Sequence, residues 1–338
     1  MSWFNFNFHD FAVAFLSVLF EGIPFLLLGS LISGFVDVFV SSDRLAKMLP
    51  KNMSASILLA GLLGLIFPMC ECGSVIVIRR FIRKGLPLSC AVTYMLGAPI
   101  VSPIVALSTF AAFKGQSPME MTSLRLGMGY LIAVAAGFII WRLRAEKILQ
   151  PRMLADLPNR RSGLRFAAAP TAPNASERDF ADVTKTASFP RRVVLALQSA
   201  TADFLDVAFF LVIGVALTSV FNTAINQEVI LPFAENPPVA IVSLMGLAAL
   251  LALCSTSDAF IAATFATFPT AAKLAFLVFG PMFDLKLFWL YTLIFKRRFV
   301  VLLSLALFVV IFLACWQLHG TILAPAQVMP FVGDAPVR

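Results

Sequence analysis

Phe67-Pro68-Met69-Cys70-Glu71-Cys72-Gly73-Ser74 interrupts an otherwise apolar run over 54–78, and its reading decides the fold. In hydrocarbon an unsatisfied backbone group costs several kcal/mol. A carboxylate at mid-depth costs about 2.5 kcal/mol or more. A membrane segment therefore carries proline, glycine and glutamate together only where they line a protected cavity or a path. The stretch predicts the tip of a broken helix and half of a transport site.

The rest of the chain agrees with a membrane setting. Of 338 residues, 60% are hydrophobic and 13% charged, against about 25% charged in soluble domains. The net charge of +8 could suggest a nucleic-acid partner, but most of it sits between apolar runs, where it reads as a topology signal. The expected partners are thus the lipid bilayer and a small-molecule substrate, with no nucleic acid and with a homo-oligomer left open. Cys70, Cys72, Cys90, Cys254 and Cys315 all lie in apolar segments and do not form a secreted disulfide framework. No Lys or Arg precedes Arg44, so the first apolar stretch lacks a signal-peptide charge and is expected to be retained.

Apolar runs cover 11–40, 54–78, 86–113 and 124–141, then 194–222, 238–268, 270–295 and 300–318. Between the two sets, 142–192 holds eleven Lys/Arg with several Pro and Ala and reads as a basic linker. The two sets are related. At one offset of 182 residues Gly64 meets Gly246, Cys72 meets Cys254, Pro87 meets Pro269 and Pro99 meets Pro281. The organisation expected is a first membrane repeat at 1–141, a linker at 142–192, a second repeat at 193–320 and a tail at 321–338.

Charge chooses the topology. If 54–78 and 238–268 are hairpins that enter and leave on one side, the loops at 41–53, 79–84, 142–192 and 296–298 share the cytoplasmic face. Those loops hold 21 of the 26 Lys/Arg. The expected fold is an all-α integral membrane protein, an inverted repeat of two halves, each of three transmembrane helices plus a broken or re-entrant helical hairpin. A short third span in place of each re-entrant arm gives the same sidedness. The N-terminus lies outside, and the setting is a multi-pass inner membrane protein with the linker in the cytoplasm.

The two tips would then meet near the midplane. Cys70 and Cys72 bring two thiols within reach of one soft ion, and Cys254 adds a third, so these three are the candidate metal or metalloid ligands. Cys90 and Cys315 are expected only to pack. Glu71 and Asp258 are intramembrane acids and so candidates for a path or proton relay. Asp258 is also placed to cap the helix from Ala259, beside Ser255, as Ser74 is after Gly73. In the following spans Pro99 and Ser102 match Pro281, Asp284 and Lys286. Prolines free carbonyls there, and Asp284 and Lys286 face each other only if the helix is unwound. Glu21 and Asp37 are weaker candidates. Arg79, Arg80, Arg83 and Lys84 read as a topology anchor.

Several runs resemble the predicted permease family that includes the ArsP-type organoarsenical permeases. They are Cys70-Glu71-Cys72-Gly73 with Arg79-Arg80, Lys84-Gly85-Leu86-Pro87, Ala98-Pro99 with Ser102-Pro103, Cys254-Ser255 with Asp258-Ala259-Phe260, and the stretch from Lys273 to Lys286. The resemblance covers nearly all of the chain outside the linker. It implies an inner-membrane permease, with efflux and arsenical resistance as the best-known branch. Glu71 stands where that family would carry a small polar residue, and Ser102 where it often carries Asn.

No GxxxxGK[ST] loop is present, no cofactor is expected, and no catalytic residue is assigned. The leading expectation is a secondary permease moving a small solute by alternating access at a midplane Cys/acid site. The competing one is a membrane thiol-disulfide oxidoreductase using the same cysteines.

Overall fold

The structure, a computed structural model, describes residues 8–39, 50, 52–67, 69–155, 189–224 and 236–321. Within some helices the side chains are not among those described, Glu21 and Asp37 included, so the weaker candidates on the first helix lie outside the described residues. The acidic loop at 225–235 and most of the linker, 156–188, lie outside them too.

Among the described residues the chain is helical, with a single isolated bridge between Leu149 and Phe295. The first set of runs gives α1 (Phe8–Phe39), α2 (Met53–Leu62), α3 (Glu71–Arg83), α4 (Leu88–Gly97), α5 (Pro103–Ala112) and α6 (Pro118–Trp141). Two short helices follow, α7 (Ala145–Ile148) and α8 (Pro151–Ala155). The second set gives α9 (Phe189–Ala224), α10 (Pro237–Leu251), α11 (Ser257–Thr264), α12 (Thr270–Met282), α13 (Leu285–Tyr291) and α14 (Arg297–Thr321). Five helical stretches are long and apolar enough to cross a bilayer: Phe8–Phe35, Pro118–Trp141, Phe189–Ala216, Thr270–Tyr291 and Arg297–Gly320. A membrane protein follows from their length and composition.

The apolar runs that contain prolines or the cysteine clusters do not form single helices. The run at 54–78 stops after a 3-10 turn at Leu63–Leu65 and restarts at Glu71. The run at 238–268 breaks between Leu251 and Ser257. The run at 86–113, expected as one full span, is two ten-residue helices. A proline at 103 lacks the N–H that would continue the helix and pushes Ser102 into an extended conformation (φ −131°, ψ 139°). At about 1.5 Å per residue each ten-residue piece reaches only halfway through a bilayer.

Helices α1 and α9 lie side by side and antiparallel: Phe39 meets Phe189, Ser33 meets Asp203, and Gly22 lies beside Leu211. Close approach needs glycine at Gly29, where an added Cβ would sit 2.8 Å from the Gly73 Cα of α3. Gly64 is equally tight against Ala98 and Val101, whereas its offset partner Gly246 faces open space. That coincidence in the repeat thus has no common packing cause.

The first part of the stretch expected as linker, 145–155, includes two short helices. Gln150 donates its backbone N–H to the Ile294 carbonyl, and Lys296 N–H bonds the Ile148 carbonyl, so 142–155 docks on the turn before α14. Helix α9 begins at Phe189, inside the stretch expected as linker.

Candidate functional site

The break before α3 leaves Cys70 extended (ψ 163°) as the residue that caps the helix, its Sγ accepting from the Gly73 N–H at 3.3 Å. Ser74, expected as a cap, instead donates to the Glu71 carbonyl at 2.8 Å. Glu71 and Cys72 fall in the first turn and are buried. In the second half, α10 ends with Ala252 in the left-handed region (φ 46°, ψ 45°). This is unusual for a residue with a Cβ and coincides with the functional cluster, since the Ala252 carbonyl accepts from Lys286 Nζ at 2.8 Å.

Lys286 gathers the site. The chain is unwound at Phe283 and Asp284, so Asp284 and Lys286 face each other despite being two apart. Lys286 Nζ lies 2.9 Å from Glu71 Oε1 and 3.4 Å from Asp284 Oδ2. Asp284 Oδ1 meanwhile caps α13, accepting from the Leu287 N–H at 2.7 Å. All three side chains are at most 5% exposed. Burying charge this deeply is costly unless it is paired and hydrogen-bonded. Two carboxylates share this one ammonium, and Glu71 Oε2 and Asp284 Oδ2 accept no hydrogen bond.

Beside this ion pair is a small cavity of about 20 Å³, room for a water or two, lined by Cys70, Glu71, Cys72, Cys254 and Lys286. Val18 and Gly22 of α1 and Leu211 of α9 close it with apolar surface. Three thiols from the two halves thus converge on one polar spot. Among the described residues no group of three His, Cys, Asp or Glu side chains is drawn together tightly enough to hold a metal ion. Cys70, Cys72 and Cys254, the candidate metal or metalloid ligands, nevertheless all line this cavity. The arrangement is a cavity with thiols on its wall. Cys90 and Cys315 are fully buried elsewhere, Cys315 against Met128.

The other candidates are placed differently. Pro99 and Ser102 belong to the buried break between α4 and α5, where Ala98 and Val101 pack against Gly64, and are not among the residues lining the cavity. Pro281 lies near the end of α12, one residue before Met282, whose carbonyl accepts from the Tyr291 hydroxyl at 2.9 Å. Asp258 is not a cap: it lies inside the first turn of α11, and both its oxygens accept from the Arg125 guanidinium at 2.9 and 2.8 Å. Ser255 contributes its carbonyl to the same guanidinium.

Arg125 escaped the sequence reading because it lies at the start of a run taken as a plain span. Arg79 and Arg80 in the last turns of α3, expected as part of a topology anchor, have acidic partners. Arg80 makes paired 2.9 Å bonds to Asp203, which also accepts from Ser33, and Arg79 reaches Asp206. These bonds tie the end of α3 to α9.

Among the described residues, five long apolar helices, broken shorter ones and a buried polar cavity between them make this a multi-pass membrane protein. The family comparison agrees: residues 7–319 match the family model described as "Predicted permease" (ArsP_1). The chain belongs to this predicted permease family. It is 33% identical over 299 residues to the "UPF0718 protein YcgR" of Bacillus subtilis, covering 88% of this chain and 92% of that one. It is 32% identical over 287 residues to a Streptococcus mutans protein named "Putative two-component membrane permease complex subunit", covering 85% and 87%. No solved structure matches.

Proposed function

We propose that the protein is a secondary permease of the inner membrane that moves a small thiophilic solute, a trivalent metalloid or organoarsenical, by alternating access. The observation that carries this reading is the convergence of Cys70, Cys72 and Cys254 on one cavity with Glu71 and Lys286. Soft thiol ligands select thiophilic species over hard cations. The spread of the thiols suits a solute that needs two sulfur partners, such as a monosubstituted trivalent arsenical, better than a bare tetrahedral metal. The Lys286 ammonium already has carboxylate partners, so the cavity offers a neutral solute no large uncompensated positive field.

Alternating access fits two halves with the same order of long, broken and short helices and with antiparallel α1 and α9. In this reading 1–141 and 193–320 are inverted repeats, 142–192 is cytoplasmic, and 321–338 is a tail. The name of the Streptococcus mutans relative supports a second subunit as partner. A growth and uptake screen of the gene deletion against metals, metalloids and sulfur oxyanions tests the proposal. The expected result is altered sensitivity to, and accumulation of, trivalent arsenicals. A response confined to sulfur oxyanions would overturn the thiophilic substrate, and a redox-active disulfide trapped among the three cysteines in native membranes would favour an oxidoreductase.

A further inference from the structure

A second buried charge cluster lies apart from the thiol cavity. Arg125, on the second turn of α6, is 0% exposed. Its guanidinium donates to Thr109 Oγ1 on α5 at 2.8 Å, to both Asp258 oxygens on α11, and to the Ser255 carbonyl at 2.9 Å. The last contact matters most, because Ser255 follows Cys254 and belongs to the unwound segment that presents that thiol to the cavity. Arg125 therefore grips the backbone one residue from a cavity thiol and, at the same time, the first turn of the helix beyond it.

Simple packing does not account for such a residue. An apolar side chain would join α6 to α11 without the desolvation that a buried guanidinium and carboxylate incur. The two buried pairs are also reciprocal. Glu71, on the arm of the first half, pairs with Lys286 of the second, and Asp258, on the arm of the second half, pairs with Arg125 of the first. Of these two pairs, only the Glu71–Lys286 pair lines the cavity. At its far end α11 meets the α5–α6 turn, where the Gln116 side-chain amide donates to the Ala263 carbonyl. The α11 arm is thus bound to α5 and α6 at both ends, but only its inner end is held by charge.

We infer that the Arg125–Asp258 pair is a latch on the α11 arm: closed, it holds Cys254 in the cavity, and its release opens the cavity toward the face that carries the α5–α6 turn. Arg125 is a positioning residue, acting on the solute through the Cys254 segment. The inference rests on the cavity being the solute site, but its test uses no solute.

The full chain in sealed vesicles is treated with a membrane-impermeant maleimide, and modification of each cysteine is followed by peptide mass spectrometry. A Lys114→Cys variant, whose exposed position lies in the α5–α6 turn, reports which vesicles present that face. Arg125→Gln and Asp258→Asn are each expected to speed Cys254 modification from that face by about tenfold or more, a factor that corresponds to about 1.4 kcal/mol of lost closure. The double variant should give no further gain, because there is one latch, and Arg125→Lys should lie between wild type and Arg125→Gln. Fully buried Cys90 and Cys315 should stay unmodified throughout. An unchanged Cys254 rate in both single variants, a parallel rise at Cys90 and Cys315, or faster reaction only from the opposite face would each overturn the latch. Arsenical flux indifferent to the cysteines would defeat the permease reading and leave these rates unaffected.

Discussion

Replacing Lys286 with Met should damage the protein more than any other single truncation in the site. Lys286 Nζ lies 2.9 Å from Glu71 Oε1, 2.8 Å from the Ala252 carbonyl and 3.4 Å from Asp284 Oδ2, and it is buried. Methionine fills much of the same volume, so the loss is electrostatic: two carboxylates would stay buried with no cation. Removing one partner of a buried ion pair costs about 3–5 kcal/mol, and the presence of two acids puts Lys286→Met at the upper end of that range. Glu71→Gln leaves the ammonium with Asp284 and the Ala252 and Leu253 carbonyls and should cost about 1–3 kcal/mol. In the double variant fewer charges are stranded, so the losses should fall short of additivity by about 1–3 kcal/mol. Reversible unfolding in mixed micelles, followed by circular dichroism, closes the cycle. Strict additivity, or a Lys286→Met loss below about 1 kcal/mol, would refute the shared-cation reasoning.

Other changes should follow the same geometry. Gly214→Ala would place a Cβ 2.8 Å from Lys286 Cα and Cβ; it should cost about 1–3 kcal/mol and lower arsenical uptake, whereas normal uptake would show that the placement of Lys286 is not needed. Ala252→Gly should raise stability by up to about 1 kcal/mol, because the left-handed conformation is strained for alanine; a net loss in the same unfolding assay would count against that strain. Arg80→Gln should cost about 2–3 kcal/mol through its partly buried bonds to Asp203, while Arg79→Gln, facing a largely exposed Asp206, should cost under about 1 kcal/mol. Cys90→Ala and Cys315→Ala should leave uptake unchanged, since both thiols lie away from the cavity.

The breaks in the helices were legible because proline and clustered polar residues interrupt an apolar pattern locally. The 63–71 and 251–257 breaks fall where the cysteine clusters predicted them; the 97–103 break, in a run expected as one full span, holds Pro99 and ends at Pro103. Cys72 and Cys254, which meet at one sequence offset, line the same cavity. Pairings were not legible, because local rules cannot see a partner far along the chain. Asp258 looked like a cap from its neighbours, yet its partner Arg125 is 133 residues away. Arg80 looked like a topology signal, yet Asp203 is 123 residues away. One signal was available: of the 26 Lys/Arg, only Lys114, Arg125, Lys273, Lys286 and Arg338 fall outside the four basic loops. Arg125, Lys273 and Lys286 are buried, and a buried cation within a membrane segment calls for a partner.

The most direct test of the thiol cavity is the flux of a trivalent monomethyl arsenical in vesicles carrying wild-type protein or Cys72→Ser. Serine is close to cysteine in shape and removes the soft sulfur ligand. The account predicts protein-dependent flux in wild type and its loss in Cys72→Ser, with folded protein at equal amounts in the membrane. Equal flux in both would contradict it.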